Sequence, residues 1–429
     1  MPDLRPFRGI RYAAQAGDPA LLLAPPYDVI GPEEHAALCR RSPHNIVHLD
    51  LGSRASAAQP PPQDWHEQAA GGLAAWQAQG ILATDPEPAL YLYTQEFGYE
   101  GRSRRRTLLL GALRLEPYDT GRILPHENTL PGPKADRLRL MQTTHANLSP
   151  ILAFFPDPDG RVHRLLDALH ATRPAVAFRD AVGITHELRC VWDTPGRRRL
   201  VEALGPLPLY IADGHHRYET SLVHQQLQRS GVRGQHGERP YDFVLAACMS
   251  SRDPGLVIRP THRLLGWEGL PEAEEVIERA GKWFEVGRLS ASDIEEAMTT
   301  LGKRRESPSF AVYGGASKPF WFISLRDDKA MSDAPHPPMS PLRRLPAAVF
   351  GHAFVGKLLA DARPTLTYDA DARAALRVVD SGAARMAGLL PGVLPSELMS
   401  VVNCGERMPP KSTYFWPKPL TGMVLRSLV

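Results

Sequence analysis

The densest chemistry in this chain lies between Leu209 and Thr220, LYIADGHHRYET. Leu209 to Ala212 is an apolar run that reads as a strand. Asp213-Gly214 turns the chain sharply, because glycine tolerates positive φ. From His216 onward the apolar positions follow a helical period. Gly214, His215, His216 and Arg217 therefore fall at a strand-to-helix junction. Helix N-termini present bare N–H groups and a partial positive charge, and both favour phosphate. Arg217 adds a bidentate fork, and the two histidines add further donors. The same spacing also suits a plain helix cap made by Asp213, with two surface histidines beside it. Adjacent histidines point in different directions on most backbones, so a metal site at this pair lacks an obvious third ligand.

Two further clusters carry chemistry. Leu124 to Arg137, LPHENTLPGPKADR, sets His126-Glu127 on a loop and Lys134, Asp136 and Arg137 at the start of a helix. A positioned glutamate can take a hydroxyl proton; the alternative is a proline-studded loop with solvated charges. Gly405 to Lys418, GERMPPKSTYFWPK, packs Lys411, Ser412 and Thr413 between prolines and aromatics. Basic and hydroxyl groups in a rigid loop suit an anion, and the aromatics alone would dock the segment. Weaker signals are Asp28 in PPYD, His48 in NIVHLDL, and PTHR, where His262 and Arg263 together suit an anion site. Only eight of the 50 basic residues are lysines, and Lys134, Lys411 and Lys418 are among them.

Elements must position these groups. Strands are predicted in pairs, at Ala89 to Phe97 with Thr107 to Leu115, and at Ser309 to Val312 with Phe320 to Leu325, each around a glycine-containing turn. Pro150 to Phe155 and Phe243 to Cys248 read as buried strands, and NIVHLDL as a half-buried one. PTHR ends a strand that starts at Gly255. Helices are expected at 64–79, 133–144, 216–229, 271–284, 291–301, 347–360 and 395–404. The proline-rich segments 53–62 and 328–341 read as loops. Strands and helices mix without regular alternation, and no glycine fingerprint follows a strand. The expected fold class is α+β, with mixed and antiparallel sheets and flanking helices. The divisions expected are 1–120, 121–330 and 331–429.

At 429 residues with 43% hydrophobic and 23% charged residues, the chain has the composition of a globular protein of several domains. A net charge of +3 provides no broad basic field, so sequence-blind nucleic-acid binding is not expected. Four scattered cysteines form neither a metal knuckle nor a redox pair. The N-terminus lacks a signal-peptide h-region, and no apolar run reaches the roughly 18 residues that span a membrane. A cytoplasmic protein without membrane or nucleic-acid partners, monomeric or homodimeric, is the expectation.

PPYDVI, NIVHLDL, HENTLPGPKADR, ANLSPI, ADGHHRYET, PTHRLL and GERMPPKSTYFWPK occur here in the order found in the family called domain of unknown function 1015, which the chain resembles from Pro25 onward. That family looks like a distant relative of the ParB/sulfiredoxin superfamily, through the segment Asp213 to Arg217. The resemblance implies a nucleotide-binding core of that type within 121–330, completed by the GERMPPKSTYF segment. It also resembles free-serine kinases, which carry a catalytic glutamate in a His-Glu context before the same DGHHR motif. Carried over residue by residue, Glu127 is the base, and Asp213 assists it or holds Mg²⁺ through water. Gly214, His215, His216, Arg217, Lys411 and Ser412 bind ATP or ADP. His126, Arg137 and Arg263 face the acceptor. The sequence departs from the family pattern at Asn128, at Ala135 and around Leu345 to His352. The implied function is a small-molecule kinase, with free L-serine the leading acceptor; the alternative is a ParB-like nucleotide-binding regulator. A hydrolase using His215 and His216 on a metal is a third reading.

Overall fold

The computed structural model describes residues 2–129, 131–230, 237–266, 271–288, 293–316 and 318–429, and the side chains of all of these but 131–133. The chain divides into two compact units. One comprises Met1–Val257 with Pro417–Val429, and the other Ile258–Trp416. These units do not follow the divisions expected at 120 and 330. Local sequence gave no sign that the strand at 243–250 pairs back onto the one at 102–114, which makes one body of the first 257 residues.

The first unit is built on a nine-stranded sheet. Its strands are β1 (Leu4–Arg5), β2 (Leu90–Tyr99), β3 (Arg102–Arg114), β4 (Ile123–Pro125), β5 (Ile151–Phe155), β6 (Val176–Arg179), β7 (Thr185–Val191), β8 (Leu209–Asp213) and β9 (Phe243–Ser250). The order is β4-β8-β5-β9-β3-β2-β7-β6, with β1 paired to β3. β4 runs parallel to β8, and β5 to β9, while the other pairings are antiparallel. The expected hairpin is β2–β3. Glu100 and Gly101 both have positive φ, 50° and 70°, as a two-residue turn matching the strand twist requires. β9 is buried throughout, which explains why FVLAACM is a continuous apolar run rather than an alternating one.

Leu109 and Leu113 of β3, Ile151, Ala153 and Phe155 of β5, Leu209 and Ile211 of β8 and Val244 and Ala246 of β9 share one core. The two-residue spacing puts each set on one face. Helices at Arg161–Ala168 and Pro195–Leu204 cover it with Val162, Leu166, Leu200 and Leu204. A second cluster joins the N-terminal helices through Leu38, Val47, Leu49, Leu73 and Trp76.

One local expectation is corrected. NIVHLDL is not a strand: Val47–Asp50 is a short helix. Asn45 starts it, its side-chain oxygen accepting from the Val47 N–H at 3.0 Å while its amide donates to the Leu21 carbonyl at 2.7 Å. Asparagine at a helix start competes well with strand pairing. The change turns Asp50 inward, where it is buried.

The second unit carries a six-stranded sheet. Its strands are β10 (His262–Gly266), β11 (Phe284–Arg288), β12 (Ser309–Tyr313), β13 (Trp321–Leu325), β14 (Thr365–Asp369) and β15 (Met386–Leu389). Their order is β11-β13-β12-β15-β10-β14, antiparallel throughout. Helices at Ile294–Lys303 and Ala372–Asp380 pack on Leu264, Ala311, Ala387 and Leu389. Here too expectation and structure differ. His262-Arg263 opens β10 rather than closing the preceding strand, because Pro260 interrupts the ladder. The helix expected at 271–284 stops at Ala280, and Phe284 begins β11. The helix from Pro346 widens into a π-helix at Phe350–Leu358. Residues 291 and 292 of the helix expected at 291–301, and Ser317 in the second hairpin turn, lie outside the described residues. The α+β class with mixed and antiparallel sheets is the fold. Among the described residues no helix is long and apolar enough to cross a membrane.

Candidate functional site

β4 and β8 are parallel neighbours, Pro125 opposite Ile211, so both chains leave the sheet at the same edge. His126-Glu127 follows β4 directly and Gly214 follows β8. The crevice beyond the carboxyl ends of parallel strands is where such sheets bind ligands. The pairing brings two segments about 85 residues apart in sequence into contact. The His126 N–H donates to Nε2 of His215 at 3.2 Å, and the two rings meet edge to face at 4.6 Å. His126 Nδ1 lies 2.7 Å from the Ile211 carbonyl, which places its hydrogen on Nδ1. Its Nε2 lies 3.9 Å from a Glu127 oxygen.

The junction at Gly214 has the expected form. Gly214 has φ +86°, and the helix His215–Ser230 begins at the next residue. A Cβ there would stand 3.0 Å from the Arg217 guanidinium. The first helical bond runs from the Tyr218 N–H to the Gly214 carbonyl at 3.0 Å. His215, His216 and Arg217 make up the first turn of that helix. Tyr218 is buried and reaches the Glu116 carbonyl at 2.7 Å, which fixes the helix against the sheet.

Asp213 is the hub. One oxygen accepts from Arg217 at 2.8 Å, and the other is paired with Lys418 Nζ. Lys418 is also 3.5 Å from Asp28. Burial drives the Asp213 carboxyl upward, but Lys418 and Arg217 outweigh it and hold it below the ordinary carboxylate range. Lys418 is raised: Asp213 and Asp28 overcome the cost of its own burial. Arg217 is held in turn by the Ser149 hydroxyl at 3.0 Å and by the Pro150 carbonyl.

Lys418 reaches this place because the chain returns at Pro417. Gln95 donates to the Lys418 carbonyl at 3.2 Å, fully buried Arg106 contacts the Pro417 carbonyl, and the Leu425 N–H bonds the Ile10 carbonyl at 2.8 Å.

Arg137, expected to meet an acceptor carboxylate, already has carboxylate partners. It holds Asp50 at 3.0 Å and Asp136 at 2.6 Å, and lies over the Tyr27 ring at 4.4 Å. Burial pushes the Asp50 carboxyl up against the pull of Arg137. A cavity of about 40 Å³, enough for one or a few waters, is lined by Tyr27, Asp50, Arg137, Ser149, Arg217 and Ser221. Asp50 Oδ2 and Arg217 Nε are buried without a hydrogen-bond partner. Lys134, in the helix Pro131–Thr144, links Thr129 to the helix His215–Ser230, lying 2.7 Å from Glu219 and 2.8 Å from the Thr129 hydroxyl. Leu130 lies outside the described residues.

Thus Glu127, His126, Asp213, Gly214, His215, His216, Arg217 and Arg137 all belong to the first unit, and Arg263, Lys411 and Ser412 to the second. Lys411 is exposed and has φ +56°; Ser412 is buried. Sequence reasoning left Lys418, Asp28, Asp50 and Ser149 out of the site. The signals were a rare lysine after Pro417, and aspartates and a serine inside the PPYD, NIVHLDL and ANLSPI motifs.

The donor set does not build a magnesium site. Both Asp213 oxygens are engaged by cations, and no group of three or more His, Cys, Asp or Glu side chains converges among the described residues. The same finding leaves the metal-hydrolase reading of His215 and His216 without a ligand set, since His215 Nε2 already accepts from His126.

No curated protein matches the chain. Among solved structures, it is similar to a conserved hypothetical protein from Pyrococcus furiosus, at 14% identity over 74% of this chain and 93% of that one, TM-score 0.35. It is similar to a free serine kinase in complex with AMP, at 14% identity over 72% and 86%, TM-score 0.34. It is also similar to SbnI from Staphylococcus aureus, at 10% identity over 73% and 85%, TM-score 0.35. The family model described as Protein of unknown function (DUF1015) matches residues 4–348, which take in every site segment of the first unit except the one carrying Lys418, and the chain belongs to that family.

Proposed function

We propose that this protein is a small-molecule kinase that moves a phosphoryl group from a nucleotide to a hydroxyl, with free L-serine the first acceptor to test. The observation that carries the reading is the corner at Gly214. A left-handed glycine delivers a helix N-terminus and Arg217 to the edge of the sheet where Glu127 also emerges. A helix N-terminus and a guanidinium favour phosphate oxygens. The ParB/sulfiredoxin-like nature of this core is part of the proposal, and serine comes from the resemblance of His-Glu followed by DGHHR to free-serine kinases.

In this reading the amides of His215, His216 and Arg217 hold the phosphate tail of ATP or ADP. Asp213, locked by Lys418 and Arg217, keeps that corner rigid and aims the Arg217 fork. Glu127 takes the acceptor's hydroxyl proton. The freed oxygen forms its bond to the terminal phosphorus while the bond to the bridging oxygen breaks, and the shortened nucleotide leaves with that electron pair. Buried His126, hydrogen-bonded to the Ile211 carbonyl, positions Glu127. Arg137 acts as a positioning residue for Asp50. Magnesium, which neutralises phosphate charge in such reactions, would arrive chelated to the nucleotide, and no step here runs through it.

The test is ADP formation from ATP and L-serine with purified full chain. Turnover that falls by about 10²–10⁴ in Glu127→Gln, with nucleotide binding kept, supports the reading. Unchanged turnover removes Glu127 from the mechanism. Nucleotide binding with no turnover on any amino acid or polyol replaces the kinase with the nucleotide-binding regulator.

A further inference from the structure

We propose that the second unit carries an anion-binding recess of its own, floored by Arg263, which takes the carboxylate or phosphate end of a small ligand. The inference stands apart from the phosphate corner at Gly214 and does not need it.

Arg263 sits in β10, opposite Tyr368 of β14 and Gly388 of β15. Only 4% of it is exposed. One terminal nitrogen donates to the Thr261 carbonyl, and the guanidinium lies 5.5 Å from the Tyr368 ring centre. Among the described residues no carboxylate reaches it within ion-pair distance. Burial lowers its pKa to about 10, which still leaves it charged at neutral pH. A charge buried without a partner is costly unless a counter-ion arrives.

Room for one exists. Arg263, Thr261, Arg305, Glu397 and Ser412 line a recess of about 10 Å³, room for about one water-sized atom such as a single carboxylate or phosphate oxygen. Arg305, Pro346, Pro391 and Glu397 also line an adjoining cleft of about 280 Å³, into which the rest of a ligand would extend. Arg304 and Arg344 stand along that cleft. The acid nearest to hand, Glu397, is already engaged. One oxygen accepts the Leu394 N–H at 2.7 Å, at the start of the helix Pro395–Asn403, and the other is 3.6 Å from Arg305. With Arg263, Arg304, Arg305 and Arg344 against Glu306 and Glu397, the lining has an excess of positive charge. Two segments singled out in the sequence, PTHR and PPKS, meet at this recess through Arg263 and Ser412.

Inorganic phosphate and acetate are titrated into the full chain by calorimetry, in wild type, Arg263→Met and Arg217→Met. The Arg217 variant removes phosphate bound at the Gly214 corner. An affinity for one anion that survives Arg217→Met and weakens tenfold or more in Arg263→Met supports the recess and names its chemistry. Equal affinity in wild type and Arg263→Met overturns it. Should Arg263→Met not fold, crystals of the wild-type protein soaked in selenate decide. An anomalous peak against Arg263 supports the site, and its absence at a concentration that occupies the Gly214 corner overturns it. Loss of nucleotide turnover with the recess intact would sink the kinase reading alone.

Discussion

Replacing Lys418 by Met removes one of the two cations that hold Asp213. The side chains are 10% and 14% exposed, so solvent screens the pair little. Breaking a buried ion pair by deleting one partner costs about 3–5 kcal/mol. Arg217 remains at 2.8 Å from the other oxygen, which places the expected loss near the lower end, about 3 kcal/mol. In a body of this size that lowers the melting temperature by about 6–12 °C. The pH dependence carries a sign. Asp213 is depressed in the folded protein, so its stabilisation is present above the unfolded value of 3.8 and is lost as pH falls below it. Without Lys418, burial pushes the carboxyl upward, so the deficit of Lys418→Met should be greatest at neutral pH and should narrow as pH falls, because protonating a carboxyl whose folded value is raised favours the folded state. Thermal melts of both proteins at several pH values between 4 and 8 measure this. A double-mutant cycle with Asp213→Asn should return a coupling of about 1–3 kcal/mol. A melting temperature within 1 °C of wild type at pH 7, or a coupling of zero, would refute the hub assigned to Asp213.

Other outcomes are expected. Gly214→Ala should cost about 1–2 kcal/mol, because φ is +86° and the new Cβ presses on the Arg217 guanidinium at 3.0 Å, and it should weaken ATP binding in calorimetry. Glu127→Gln should abolish serine-dependent ADP release while leaving ATP affinity within a factor of about three. His262 is buried and held neutral, its Nδ1 accepting the Leu390 N–H at 3.3 Å, with a pKa lowered by burial to about 4. The unfolded chain takes up that proton near 6.5, so the second unit should lose roughly 3 kcal/mol as pH falls from 6.5 to 4, a slope that flattens in His262→Gln by denaturant titration. Asp50→Asn removes a buried carboxylate from Arg137, and limited proteolysis should find the segment 126–134 cut faster than in wild type.

Much was legible locally. The hairpin at 90–114 followed from two apolar runs around Glu100-Gly101, and the junction at Gly214 from a strand pattern, an Asp-Gly pair and a helical period. These signals are confined to a few residues, where backbone preference and side-chain period act directly. NIVHLDL misled because its alternation suits a strand, while the Asn45 side chain turning the backbone through the Val47 N–H and the packing of Val47 and Leu49 decided for a helix.

What the chain alone determined were the residue types and their local setting: a glutamate just after a strand, a glycine corner followed by two histidines and an arginine, and an α+β class. Tertiary structure decided which of them work together. The parallel pairing of β4 with β8 set Glu127 beside the Gly214 corner, and the return at Pro417 carried Lys418 more than 200 positions along the sequence onto Asp213. It gave Arg137 two carboxylates and, among the described residues, left Arg263 with none in ion-pair reach. Pairings between distant segments are settled by burial and sheet register, and neither quantity exists until the chain has folded.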